Sequence, residues 1–367
     1  MMLVIEKQKI GEFVQNLAKT AIVIVPIRKT RQGTVESVFE KFESGPPAGG
    51  EIDFDYLPTL LSAKEFFLAA KEDIFVFNRK ENRVSSAQKP KSFILFGLNS
   101  RDLEAIRQLD EIMAKPNPDY FYLQKRAAAT IVGLSNEPVS ASWRTPLSGP
   151  ARIAAQSVAG GDLILVKINE KQYEAVILTE KGKKLAKNKI FKNEVGIITN
   201  AGPKSAEPEI MPQLKKLLYD PELIADAISW SWRNDPAVWD ELAALCLGCG
   251  ICTYVCPLCY CFFTEDSVGL DGEKCRRSRQ WDACTLPRFS QISGALPDGR
   301  QGFNFHKTIK ERYYNWYYHK FVRAYKEYGK SQCVACGRCQ KYCPAKIDIE
   351  KYLIRIVDDY KKAMKLP

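Results

Sequence analysis

Cys246-Leu247-Gly248-Cys249-Gly250-Ile251-Cys252-Thr253-Tyr254-Val255-Cys256-Pro257 sets three cysteines two residues apart, a fourth three residues further on, and a proline directly after it. The same pattern returns in Cys333-Val334-Ala335-Cys336-Gly337-Arg338-Cys339-Gln340-Lys341-Tyr342-Cys343-Pro344. Three thiols this close together wrap a tight loop around one inorganic cube. The fourth, at the start of the segment that follows, cannot reach that cube and ligates a neighbouring one.

Both copies, 246–257 and 333–344, match the bacterial ferredoxin run in full. The crossed scheme assigns Cys246, Cys249, Cys252 and Cys343 to one [4Fe–4S] cluster. Cys333, Cys336, Cys339 and Cys256 then hold the second. Gly250 and Gly337 let the loop backbone turn and approach inorganic sulfur, and Pro257 and Pro344 set the chain direction after the fourth cysteine. Zinc sites usually show two Cys-x2-Cys pairs rather than three evenly spaced cysteines and a Cys-Pro. Four more cysteines, Cys259, Cys261, Cys275 and Cys284, lie beside the first motif. They are either buried free thiols or ligands of a third iron–sulfur centre.

All 12 cysteines lie from Cys246 onward in a chain of 367 residues. Disulfide-stapled secreted proteins are short and spread their cysteines through the fold, so metal binding is the better reading. The N-terminus mixes Glu and Lys with apolar residues and lacks the order of a secretory signal. No apolar run is long enough to span a bilayer. The expected location is therefore the cytoplasm. The formal charge is +11, but each oxidised tetrathiolate cluster carries about −2, so two or three would offset roughly −4 to −6.

The remaining sequence predicts an α+β protein: an α/β scaffold or docking domain over 1–205, then a mainly helical iron–sulfur domain over 206–367. Strands are expected at Ala21–Pro26 (ended by the proline), Phe93–Gly97 and Ala128–Gly133, with a pair at Asp162–Val166 and Ala175–Leu178. Phe13–Leu17 reads as helix. Ser100 is the expected cap of a helix running to Met113. Segments 42–50 and 201–212 are rich in Pro, Gly and Ser, and the second reads as a linker. Asp220-Pro221 and Asp235-Pro236 each place a capping residue before a proline at the first helical position. The aromatic, basic stretch 303–328 reads as one long helix between the two motifs, and Ile349–Met364 as a closing helix.

The chain resembles the β, iron–sulfur, subunit of cytoplasmic NiFe sulfhydrogenases and the corresponding iron–sulfur subunit of anaerobic sulfite reductases. The resemblance rests on Cys246-Leu247-Gly248-Cys249-Gly250-Ile251-Cys252, the Cys-Pro-x-Cys-x-Cys-Phe that follows, Trp281-Asp282-x-Cys284, His319-Lys320-Phe321 and Cys333-Val334-Ala335-Cys336-Gly337-Arg338-Cys339. Phe96-Gly97-Leu98 and Ile131-Val132-Gly133-Leu134 match more loosely. It implies an electron wire between a flavin subunit that handles NAD(P)H and a catalytic partner of hydrogenase or sulfite-reductase type. Family members often carry further cysteines where this chain has Asn99-Ser100-Arg101 and Pro138-Val139-Ser140-Ala141-Ser142-Trp143, so any cluster held there is expected to be missing. Cys275 is not a position of the family pattern.

No Gly-x-Gly-x-x-Gly follows a strand and no Walker loop is present, so no flavin or NAD(P) site of the chain's own is expected. The two histidines, His306 and His319, read as core or surface residues rather than ligands. No nucleophile–base constellation is visible, so no catalytic residue is assigned. The leading expectation is a non-catalytic electron-transfer subunit of an oxidoreductase complex. A different class, a nucleic-acid-binding protein with a structural metal module, would use the aromatics and cations of 303–328 to stack on bases and track phosphates. The simpler reading of that stretch is a helix packed against the clusters. A third reading is a self-contained reductase acting at an open-site cluster.

Overall fold

The computed structural model describes residues 2–31, 33–42, 51–54, 56, 58–86, 90–135, 160–194, 210–270, 272–292 and 302–366. Its strands in chain order are β1 (Met2–Glu6), β2 (Ile22–Arg31), β3 (Thr34–Phe42), β4 (Glu51–Ile52), β5 (Lys71–Asn78), β6 (Arg83–Ser86), β7 (Phe93–Leu98), β8 (Ala129–Ser135), β9 (Leu163–Lys167), β10 (Gln172–Ile177), β11 (Lys192–Glu194), β12 (Phe262–Val268) and β13 (Lys274–Trp281). The chain divides into two units, one of Met1–Phe67 with Lys89–Pro208 and one of Leu68–Gln88 with Glu209–Pro367.

The first unit is built on a mixed sheet of order β11-β1-β10-β9-β8-β7-β2-β3, with β4 beside β2. The β2/β7, β7/β8 and β8/β9 pairs are parallel and the outer pairs antiparallel. Helices Ser100–Ala114 and Tyr120–Ala128 form the crossover from β7 to β8, as a parallel pair requires. The apolar face of helix Ile10–Ala18 (Ile10, Phe13, Val14 and Leu17) buries against Val23, Val25, Phe96 and Leu165. β2 runs on through Pro26 to Arg31 rather than ending at the proline. Pro26 falls between the residues paired with β7 (Ile22–Ile24) and those paired with β4 (Ile27 and Arg28), so that edge needs no N–H from it. The cap of helix Ser100–Ala114 is Asn99, one residue before Ser100; its side chain accepts from the Asp102 N–H at 2.9 Å. The β9/β10 pair forms as expected from sequence. Segment 136–159, with Pro138–Trp143, lies outside the described residues, as do most of 42–50 and 201–209.

The second unit is mainly helical, with one small antiparallel sheet of order β12-β13-β5-β6. Its core joins Ile224, Ile228, Trp239, Leu242, Trp316, Tyr317, Phe321, Leu353 and Ile356. Asp220 caps helix Pro221–Asn234 through the Leu223 N–H, whereas Asp235, before helix Pro236–Leu245, makes no side-chain cap bond. The stretch 303–328 is not helical throughout. Asn304 bridges to Gln291, and the helix begins at Ile309 behind a capping box of Thr308 and Glu311. Within it, Tyr318–Arg323 is a π-helical turn. The hairpin of β5 and β6 comes from the first 205 residues yet packs with the cysteine-rich part. Its half-buried Glu72 receives Nε of buried Arg279 at 2.7 Å, and β5 pairs with β13 from Lys274 to Gln280.

Candidate metal centre

The two cysteine motifs fold alike. Gly248 (φ +63°) and Gly250 (φ +79°) flank Cys249; Ala335 (φ +48°) and Gly337 (φ +72°) flank Cys336. Two left-handed residues around the middle cysteine coil each loop, and short helices Ile251–Tyr254 and Arg338–Lys341 then carry Cys252 and Cys339. At Gly337 a Cβ would lie 2.6 Å from Ile210 Cγ2, and at Gly250 it would lie 2.9 Å from Ala283 Cβ. Both glycines are thus required by close approach as well as by φ.

Two cavities follow from these loops. Cys246, Cys249, Cys252 and Cys343 line one, beside Tyr313 and Trp316. Cys256, Cys333, Cys336 and Cys339 line the other, beside Lys320 and Pro257. The fourth cysteine of each motif therefore faces the loop of the other, and Cys339 borders both cavities. Pro344 lines the first cavity next to Cys343. None of the twelve cysteines is in a disulfide. Among the described residues no three Cys, His, Asp or Glu side chains converge on a single-ion site. The thiols are arrayed around cavities, which suits a multi-iron cube rather than one zinc.

The donor set fits anionic sulfur. The Gly248 N–H points at Cys246 Sγ at 3.4 Å, and the Leu258 N–H at Cys256 Sγ at 3.4 Å. Burial pushes the Cys252 and Cys339 thiols well above their ordinary range, and pushes Cys333 up to about 11 against the pull of Lys320. Such thiols stay protonated alone and become thiolates only by binding a metal. Lys320, 4% exposed, donates to Cys256 Sγ at 3.0 Å and to the Gln332 carbonyl at 3.3 Å. Burial lowers the Lys320 pKa, but the sulfurs of Cys256, Cys259 and Cys333 outweigh that effect and hold it above its usual value. Buried Arg312 donates to the carbonyls of Thr285, His306 and Lys307, and its charge lowers the Cys246 thiol slightly against the dominant effect of burial.

A third cavity, of about 200 Å³, is lined by Cys259, Cys261, Cys284, Trp316, His319 and Lys320 among others. Cys275 is not brought to it; it stands on β13 opposite Val268 and Phe77 and lines none of the three cavities. Tyr313, Trp316, Tyr317 and Phe321 are buried in the helical core, and Trp232 stacks on Tyr314 at 4.2 Å. The four buried rings are closed to stacking on bases, whereas Phe303 and Phe305 are exposed. Sequence reasoning gave Lys320 no role and missed the left-handed pair at Gly248 and Ala335. The signals available were Lys320 next to the ring residues of Tyr313–Phe321 and the equal offset of Gly248 and Ala335 from the first cysteine of their motifs.

Residues 245–347 match the family described as 4Fe-4S dicluster domain. Over 342 residues, covering 93% of this chain and 94% of the relative, the chain is 28% identical to Sulfhydrogenase 2 subunit beta of Pyrococcus furiosus. No solved structure matches it. The cysteine-rich segment is an iron–sulfur domain of the 4Fe–4S dicluster kind, and the likeness to sulfhydrogenase β subunits read from the motifs extends along nearly the whole chain.

Proposed function

We propose that this chain, similar along its length to a sulfhydrogenase β subunit, relays single electrons between a flavin subunit that takes hydride from NAD(P)H and a catalytic subunit of hydrogenase type. The observation that carries this reading is the reciprocal lining of two neighbouring cavities, each by the three loop cysteines of one motif and the fourth cysteine of the other, with Cys339 bordering both. Cys246, Cys249, Cys252 and Cys343 would hold one cluster, and Cys333, Cys336, Cys339 and Cys256 the other. Bound there, the clusters supply one-electron carriers. The chain's own residues do the rest: the loops gather the thiols around the two cavities, the N–H groups of Gly248 and Leu258 stabilise sulfur charge, and Lys320 offsets the negative charge of the second site. The first 205 residues, apart from the hairpin Lys71–Ser86, would serve as a docking scaffold, and the complex would work in the cytoplasm. Among the described residues no helix is long and apolar enough to cross a membrane.

Reconstitution tests the reading. Clusters of the isolated chain should not bleach with NAD(P)H and should bleach once the flavin subunit is added. Rapid bleaching by NAD(P)H in the flavin-free chain would overturn the division of labour.

A further inference from the structure

The three cysteines outside the ferredoxin motifs that line the third cavity are brought together by distinct elements. Pairing of β12 with β13 sets Phe262 opposite Trp281, and the Asp282 N–H continues the ladder to the Cys261 carbonyl at 2.9 Å. That zipper puts the Cys261 thiol in hydrogen-bonding contact with Cys284, which also meets Thr253 Oγ1 at 4.0 Å. The turn after Cys256 is pinned by Gln332 Nε2 on the Leu258 carbonyl, and this turn holds Cys259 with its thiol in contact with that of Cys256. The cavity of about 200 Å³ that these thiols border has been left open by an otherwise packed core.

The opposite wall is the helix that contains the π turn Tyr318–Arg323, an irregularity that often marks functional positions. Its side chains at the cavity are mostly committed. Lys320 donates to Cys256, and Arg323 and Glu327 pair with each other at 2.7 Å. Gln332, beyond the helix, is held by Leu258. His319 lines the same cavity, and among the described residues no hydrogen bond reaches its ring. An imidazole and three thiols are an iron-binding donor set.

We infer that Cys259, Cys261, Cys284 and His319 hold a third iron–sulfur cluster, with His319 as its one nitrogen ligand. This reverses the expectation that His319 is a packing residue and leaves Cys275 outside the ligand set. The inference extends the relay proposed above and rests on it. Contact between the Cys259 and Cys256 thiols puts the third centre next to the second cluster.

The test uses the full chain purified without oxygen. Iron and acid-labile sulfide should number about twelve each, against about eight for the two ferredoxin motifs alone. Pulsed EPR of the reduced protein should show a strongly coupled nitrogen-14 nucleus. His319→Ala should lose about four irons and the nitrogen coupling, while the eight irons of the dicluster remain as the internal sign of correct folding. His319→Cys should keep the iron and lose the coupling. Eight irons in the unmodified chain, or a nitrogen coupling that survives His319→Ala, would overturn the inference and leave the dicluster intact. Iron near zero would overturn both together.

Discussion

Replacing Lys320 by methionine removes a buried cation from beside the second cluster site while keeping an unbranched apolar stem of similar length. The ammonium lies 3.0 Å from Cys256 Sγ. At an effective dielectric constant of ~20, two unit charges at that separation interact by roughly 5.5 kcal/mol. An electron added to a cluster spreads beyond the sulfur, and at about twice the separation the interaction is roughly 3 kcal/mol. For a one-electron couple, 1.4 kcal/mol corresponds to ~59 mV, so the loss amounts to about 120 mV. Lys320→Met should therefore lower the potential of the cluster held by Cys333, Cys336, Cys339 and Cys256 by on the order of 100 mV. The cluster of the first motif should move less, because Lys320 does not line the cavity of Cys246, Cys249 and Cys343. The measurement is a redox titration followed by EPR, with iron content as the control for cluster retention. A shift below about 20 mV with all iron retained would show that solvent already screens this lysine and would refute the electrostatic role.

Cys343→Ala should damage the cluster of the first motif more than that of its own motif, and selective loss at Cys333, Cys336 and Cys339 in EPR or resonance Raman spectra would contradict the crossed assignment. Gly337→Ala forces a side chain into a left-handed residue (φ +72°) and against Ile210 Cγ2. It should cost about 1–2 kcal/mol from backbone conformation alone, read as a lower melting temperature and poorer iron incorporation. Burial raises the Glu65 carboxyl from its ordinary value near 4.5 to about 7, with Lys64 opposing. Between those values the unfolded chain has lost a proton that the folded chain keeps. This group therefore makes stability fall as pH rises from about 4.5 to about 7 and leaves a constant deficit above. Glu65→Gln should flatten that part of the stability–pH curve measured by denaturant titration, and an unchanged slope would refute the assignment.

The cysteine spacing in Cys246–Pro257 and Cys333–Pro344 determined the chemistry by itself, because a run of Cys-x2-Cys-x2-Cys-x3-Cys-Pro is a local geometry that leaves few other uses. The helices after Asp220-Pro221 and Asp235-Pro236 and the strands near Phe93, Ala129 and Leu163 were also legible, since capping and apolar runs act over a few residues. Pairing over long separations was not. That Lys71–Ser86 leaves its sequence neighbours to pair with β13 depends on edge matching and on the Arg279–Glu72 contact across two hundred positions. That Cys275 turns away from Cys259, Cys261 and Cys284 depends on its strand register, in which it is opposite Val268. That His319 and Lys320 face thiols depends on which side of a helix the core claims, and Tyr313, Trp316, Tyr317 and Phe321 claim the rest. The candidate ligands within a motif can be read from the spacing. Which charge or extra ligand stands across a cavity is decided only when distant segments compete for the same buried surface.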